Sequence, residues 1–270
     1  MRALVTGATG YVGGRLIPQL LDAGIQVRAF ARHPERLRDQ PWANDVEVVA
    51  GDALDPEAVR WALNGIDVAY YLMHSISVDD HSFSDTERRM AQVFAQAARE
   101  AGVSRIVYLG GLGHGKRLSE HLQSRADVGE ILLASGVPTA ALGAGVIIGS
   151  GSLSFEMLRY LTERLPAMIT PLWVRTKAQP IAIRDVLRYL VGCASLPSPV
   201  NRWFDIGGPD VLTYEQMMQR YAAVAGLNRR IILPINVLSP KLSSRWIGLV
   251  TPVPASIARP LVDSLKNEVV

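Results

Sequence analysis

The residues best placed to do chemistry stand near the N-terminus, in the run Val5-Thr6-Gly7-Ala8-Thr9-Gly10-Tyr11-Val12-Gly13-Gly14. Glycines at positions 7, 10 and 13 divide the labour of holding an anion. The first allows a tight turn, the second lets backbone amides approach a phosphate, and the third lets a helix lie close to a strand. A glycine triplet alone is weak evidence, and its setting strengthens it. Ala3–Thr6 reads as a buried strand, and apolar Val12, Leu16 and Leu20, with Ile17 and Leu21 beside them, read as the helix that follows. The first N–H groups of such a helix have no intrahelical acceptor and point at whatever sits in the turn. The plain alternative is a strand–turn–helix that binds nothing.

A second group of residues bears on which anion that is. A site selective for NAD carries an acid at the end of the second strand, to bind the ribose 2′-hydroxyl. Here that strand ends Phe30-Ala31-Arg32-His33-Pro34, and no acid precedes Glu35. Arg32 stands where a guanidinium can take a 2′-phosphate in a forked geometry, so NADP(H) is expected over NAD(H). The alternative is a solvated surface arginine. Asp52, in Gly51-Asp52-Ala53 after the third strand, can accept from an adenine amino group or cap the turn toward Pro56. The cofactor contacts are expected at Gly7, Thr9, Gly10, Tyr11, Val12, Gly13, Arg32, Asp52 and Ala53, and at Leu72 and Met73 where the fourth strand ends.

These residues need a scaffold that brings strand ends together. Strand signals at 25–31, 46–50, 68–73, 106–109 and within 139–148 alternate with helix signals at 56–64, 85–101 and 120–134. Short, nearly continuous Val, Leu and Ile runs indicate a parallel sheet covered on both faces. The expected fold is α/β: a doubly wound parallel sheet over residues 1–150, with a smaller substrate-side lobe over 151–270. Within the lobe, residues 180–206 are expected to return to the sheet. A helix at 155–165 leads into a proline-containing loop up to Gln179, and a strand from Pro180 runs into a helix at 184–194. A short strand at 203–207 precedes Thr213, which caps a helix at 214–225, and 231–233 is extended. The remainder, 239–270, reads as helical, with Leu242, Trp246, Leu249 and Val250 as an apolar stripe. Pro18 falls inside the first helix, where it should remove a hydrogen bond and bend it.

Composition narrows the classes. The chain has 270 residues, 49% hydrophobic and 20% charged, with 28 basic against 25 acidic residues. A net charge of +3, diffusely spread, argues for neither nucleic acid nor membrane as partner. The single Cys193 lies in an apolar run and reads as a buried thiol in a reducing, cytoplasmic setting. No metal site is expected, since the five histidines are scattered and Asp79-Asp80-His81 reads as a polar helix entry. No Gly-x-Ser-x-Gly elbow occurs. The strand beginning at residue 2 leaves no room for a leader, and the chain stops at Lys266–Val270 without a polar tail, as though a further C-terminal domain should follow.

With these residues in view the chain resembles the atypical extended short-chain dehydrogenases/reductases, near the NmrA-like NAD(P)-binding branch. The likeness rests on Thr6–Gly13, Arg32, Gly51-Asp52, Ser124-Arg125 ahead of Ser135-Gly136-Val137, Pro180–Val186, and Phe204–Pro209 followed by Leu212–Glu215. It implies a Rossmann-type fold and, in active members, a Ser or Thr after the fifth strand with Tyr-x-x-x-Lys on the next helix. The tyrosine exchanges a proton, and the lysine holds the nicotinamide ribose and lowers the tyrosine pKa. Here the fifth strand ends Tyr108-Leu-Gly110-Gly111-Leu-Gly113, so the hydroxyl is missing; Arg125 falls at the lysine and His121 at the tyrosine. Arg125 can still donate to ribose hydroxyls, and His121 can donate a proton when charged, although Arg125 disfavours that charge. The alternative is an exposed His121 beside a surface Arg125. His114 is a second acid candidate, His74 reads first as a hydrogen-bonded loop residue with shaping of the nicotinamide pocket as the alternative, and Tyr108 reads as core. The resemblance implies an NADP(H)-dependent oxidoreductase on a small molecule, a non-catalytic sensor or scaffold, or epimerase or dehydratase chemistry, in a chain free to form oligomers.

Overall fold

The structure, a computed structural model, describes residues 1–74, 83–112, 118–235 and 267–270. Strands β1 (Arg2–Thr6), β2 (Gln26–Ala31), β3 (Glu47–Ala50), β4 (Val68–Tyr71), β5 (Arg105–Gly111) and β6 (Thr139–Ala144) alternate with α1 (Tyr11–Asp22), α2 (Pro56–Leu63), α3 (Phe83–Glu100) and α4 (Glu120–Leu133). The rest comprises β7 (Ile147–Ile148), α5 (Leu153–Arg164), β8 (Ala167–Pro171), β9 (Lys177–Ala178), β10 (Ile181–Ala182), α6 (Ile183–Cys193), β11 (Arg202–Ile206), β12 (Leu212–Thr213), α7 (Tyr214–Val224) and β13 (Ile231–Ile235). Seven strands form one sheet in the order β3-β2-β1-β4-β5-β6-β11, every pairing parallel.

Alternation along the strands explains their unbroken apolar composition. Ala3, Val5, Tyr70, Val107 and Leu109 pack on one face with Leu16, Ile17 and Leu20 of α1 and Val186 and Leu190 of α6. Their neighbours Leu4, Ala69, Tyr71, Ile106 and Tyr108 pack on the other face, with Val59, Met90, Phe94 and Leu132 of α2, α3 and α4. Helices on both faces bury both sets, so neither set is polar. A third core, including Met157, Leu158, Trp173, Val174, Tyr214 and Met218, belongs to the lobe and reaches Leu112 and Leu122 beside the sheet.

Two buried arginines lock a helix end and a loop to the sheet. Arg28 of β2 donates through Nη1 to the carbonyls of Ala62 and Asn64, both at 2.8 Å, while its Nε bonds Glu47 at 2.9 Å. Arg105 of β5 donates to the carbonyls of Val200, Leu196 and Pro197 at 2.9, 3.2 and 2.7 Å. Arg28 meets carbonyls of the last turn and cap of α2, where positive charge is favoured, and Arg105 meets carbonyls of the loop that follows α6.

One feature completes the sequence reading and two depart from it. Helix α1 runs through Pro18, and the Gly14 carbonyl that Pro18 cannot serve accepts instead from the Trp42 indole N–H at 3.1 Å. The expected loop before Gln179 contains β8 and β9, because β8 finds a parallel partner in β13 and β9 an antiparallel one in β12. The helix expected to reach residue 270 does not do so: Val269 is extended and bridges Ala178, donating to Lys177 O and accepting from Gln179 N. The apolar stripe Leu242, Trp246, Leu249 and Val250 lies outside the described residues.

Candidate functional site

The C-terminal ends of β1 to β5 gather the residues singled out from sequence along one edge of the sheet, where parallel α/β folds hold their ligands. At the β1–α1 turn Gly7 has φ +67°. A Cβ there would press on the backbone of Leu72, whose carbonyl carbon would lie 2.8 Å away. Thr6 fastens this junction, its Oγ donating to Tyr70 O at 2.9 Å and accepting from Leu72 N at 3.1 Å. Gly13 is buried, and a Cβ on it would stand 2.9 Å from the carbonyl carbon of Gly7 and nearer still to the oxygen. Only glycine therefore lets α1 start directly behind the turn.

The start of α1 is open to a ligand. Gly10 is the N-cap, with no side-chain cap, and the first turn carries no acid. Thr9 and Gly10 are exposed, while Tyr11 and Val12 are half-buried. The Tyr11 side chain turns toward the lobe: its hydroxyl is buried against Gly149 without a hydrogen-bond partner, and the Arg15 guanidinium lies 4.1 Å from its ring centre. Arg15 also donates to Ser150 O at 3.0 Å. An open cleft of about 1200 Å³ leaves Thr9 and Gly10 along the outer side of α1 toward Trp42. It touches neither Arg32 nor Arg125, so it runs away from the residues that bear on chemistry.

At the end of β2, Arg32 is exposed and has no acid or carbonyl partner among the described residues, whereas His33 pairs with Glu35 at 3.2 Å. After β3, Asp52 accepts through Oδ1 from Leu54 N at 2.8 Å and so shapes the turn, while the cap of α2 is Asp55. Ala53 is buried, as is Leu72 after β4, with Met73 half-buried beside it.

Helix α4 brings the remaining candidates to the ends of β4 and β5. Arg125 donates from Nε to His121 Nε2 at 3.2 Å and from Nη1 to His74 Nε2 at 3.1 Å. A guanidinium only donates, so both imidazoles accept through Nε2 and carry their proton on Nδ1. Burial, and then the Arg125 charge, push His121 down to about 3, so its ring is neutral at ordinary pH. Desolvation and the charges of Arg125 and His121 push His74 well below the usual histidine range. His74 is exposed as a residue, and the contact of its Nε2 with the Arg125 guanidinium disfavours a charge on its ring.

The pair His121–Arg125 is thus half-buried and joined, not a loose surface pair, but His121 stands as an acceptor and not as a charged acid. Tyr108 is core, its hydroxyl donating to Arg125 O at 2.9 Å, with burial raising its pKa. Sequence reading missed the buried contact from Ser124 Oγ to Glu87 Oε2, 2.7 Å, between α4 and α3. Its signal was an acid on the apolar stripe Glu87-Met90-Ala91-Phe94. His114 and Asp79-Asp80-His81 lie outside the described residues. Among the described residues, no cluster of His, Cys, Asp or Glu could hold a metal, and no helix is long and apolar enough to cross a membrane.

A parallel sheet in this strand order, with an uncapped glycine turn after β1, is a Rossmann-type α/β fold. Residues 7–139, just under half of the chain, match the family described as NAD(P)H-binding. The structure superposes on the Citrobacter sp. triphenylmethane reductase complexed with NADP(H), with a TM-score of 0.77 and 20% identity, covering 100% of this chain and 91% of that one. At that identity the likeness is one of fold. An uncharacterized protein of Mycobacterium tuberculosis is 28% identical over 235 residues, which cover 87% of this chain and 24% of the relative. The chain therefore spans about a quarter of that protein's length. A (4-alkanoyl-5-oxo-2,5-dihydrofuran-3-yl)methyl phosphate reductase of Streptomyces griseus is 29% identical over 225 residues, covering 83% of this chain and 73% of the enzyme.

Proposed function

We propose that the protein is an NADP(H)-dependent oxidoreductase acting on a small molecule, close to the NmrA-like branch and at work in the cytoplasm. The observation that carries this reading is the β1–α1 turn, where Gly7 and Gly13 admit no Cβ and the helix start has no cap of its own. Amides at Tyr11, Val12 and Gly13 would hold the pyrophosphate, as helix N-termini hold anions generally. Arg32, without an acid partner, would take the 2′-phosphate of NADP(H). Asp52 keeps its second carboxylate oxygen for adenine, Ala53, Leu72 and Met73 wall the groove, and Arg125 stands at the nicotinamide end. The dinucleotide would supply hydride chemistry, and the protein supplies placement and a charged donor. Residues 151–270 would supply the substrate side, and a named reductase among the relatives supports the class of reaction.

One observation favours a second, non-catalytic reading, that of a redox sensor or scaffold. The end of β5 carries Gly110 and Gly111 in place of a hydroxyl, and His121 is held uncharged. Epimerase or dehydratase chemistry fits the same fold, and the site offers nothing that favours it. The test is to load the protein with NADPH and follow oxidation at 340 nm across quinones, enones and dyes. Turnover in any class supports the reductase. No turnover, with NADP and NADPH bound at clearly different affinities, supports a sensor, because only differential affinity can shift a conformational equilibrium.

A further inference from the structure

Like Arg32, Arg125 is a charged group at this sheet edge with no counter-charge among the described residues. Its acceptors are the two imidazole nitrogens of His121 and His74, and no carboxylate pairs with it among the described residues. A guanidinium has five N–H donors and stays charged at any ordinary pH. The described residues use two of these donors and leave three. Both imidazoles accept, so neither offers negative charge. A half-buried cation left in this state gains most from an anionic acceptor.

The neighbours describe the rest of such an acceptor. Gly111 lets Leu122 and the alkyl stem of Arg125 pack closely on the end of β5: a Cβ there would meet Leu122 Cδ2 at 2.8 Å and Arg125 Cδ at 3.4 Å. Leu112 and Leu122 are buried next to it, and the Phe83 ring stacks on His121 with centres 6.2 Å apart. Among the described residues the surroundings are apolar and partly aromatic, with Arg125 as the cation.

We propose that Arg125 binds an anionic oxygen of the substrate, carried on a flat, apolar body, with His121 and His74 as positioning residues that aim the fork. This rests on the reductase reading, in which the dinucleotide fills the glycine turn and leaves the guanidinium to the substrate. It narrows the substrate class to small aromatic or conjugated molecules bearing a carboxylate or a carboxylate-like oxygen.

The test is calorimetric titration of the NADPH-saturated protein with benzoate and with its uncharged counterpart benzamide. Benzoate should bind at least tenfold more tightly than benzamide. Arg125→Gln should remove that difference, and Arg125→Lys should restore part of it through charge without the fork. His121→Gln, still able to accept from Arg125 Nε, should keep benzoate affinity within threefold, while His121→Leu should lose at least fivefold. Equal binding of the two probes, or none, overturns the proposal. So does Arg125→Gln weakening NADPH tenfold while benzoate is unmoved, since the guanidinium would then serve the ribose. If NADPH fails to load, the reductase reading falls by itself. The same titration on the free protein then decides the anion site, which stands if benzoate binding depends on Arg125 and falls if it does not.

Discussion

Replacing Gly13 with alanine tests how the turn works. The new Cβ would stand 2.9 Å from the carbonyl carbon of Gly7. Carbon atoms in contact prefer about 3.5–4.0 Å, so the helix start must retreat by roughly 0.6–1 Å. Crowding of this kind costs about 1–3 kcal/mol in a packed core. The retreat also draws the amides of Tyr11 and Val12 away from the phosphate. A hydrogen bond to a charged group contributes about 1.5–3 kcal/mol, so losing one weakens NADPH roughly tenfold to a hundredfold. Gly14→Ala is the control. Its Cβ would lie 3.3 Å from Ala8 O, a contact that gives by a few tenths of an ångström, and affinity should change less than about threefold. Calorimetry with NADPH gives the affinities, and thermal melting of the free proteins separates binding from folding. If Gly13→Ala melts normally and binds NADPH as tightly as the parent, the steric argument for this turn is wrong.

Three further outcomes follow from particular contacts. Arg32→Ala should weaken NADPH about 10- to 100-fold and leave NADH nearly unchanged, read by calorimetry with both cofactors; an unaltered NADPH affinity removes Arg32 from the site. Arg105→Met strands the carbonyls of Val200, Leu196 and Pro197 and should cost about 3 kcal/mol or more in urea unfolding, whereas an unshifted midpoint would mean water serves those carbonyls. Stability should fall with pH below about 6.5, because the unfolded chain protonates a histidine that the fold holds neutral down to about 3. The slope from His121 is up to about 1.4 kcal/mol per pH unit, and His121→Gln should flatten it between pH 6.5 and 5. A profile that stays flat in the parent contradicts the buried, neutral ring.

The nucleotide half was legible because its signals are local. Gly7, Gly10 and Gly13 sit within one turn, and the alternating faces of β1, β4 and β5 follow from residues adjacent in sequence. What escaped was set by distant partners. β8 exists because β13 lies beside it, and Val269 is extended because Ala178 offers it a ladder. Pro18 signalled a broken hydrogen bond, but nothing near it said that Trp42 would supply the missing donor. At the site, Arg125 and His121 could be paired from their i, i+4 spacing on a helix. His74 joins them only because the sheet places the end of β4 next to that of β5. The buried arginines Arg28 and Arg105 read as ordinary strand residues, since the carbonyls they serve come from other elements.

The central claim is that the β1–α1 turn grips the diphosphate of a pyridine dinucleotide, with Arg32 favouring the phosphorylated form. Titrating the folded protein with NADPH, NADP, NADH and NAD in a calorimeter addresses it most directly. The account predicts saturable binding at one site, tighter for the 2′-phosphorylated pair and weakened by Gly13→Ala. No heat from any of the four, with the protein melting as a folded unit, would contradict it.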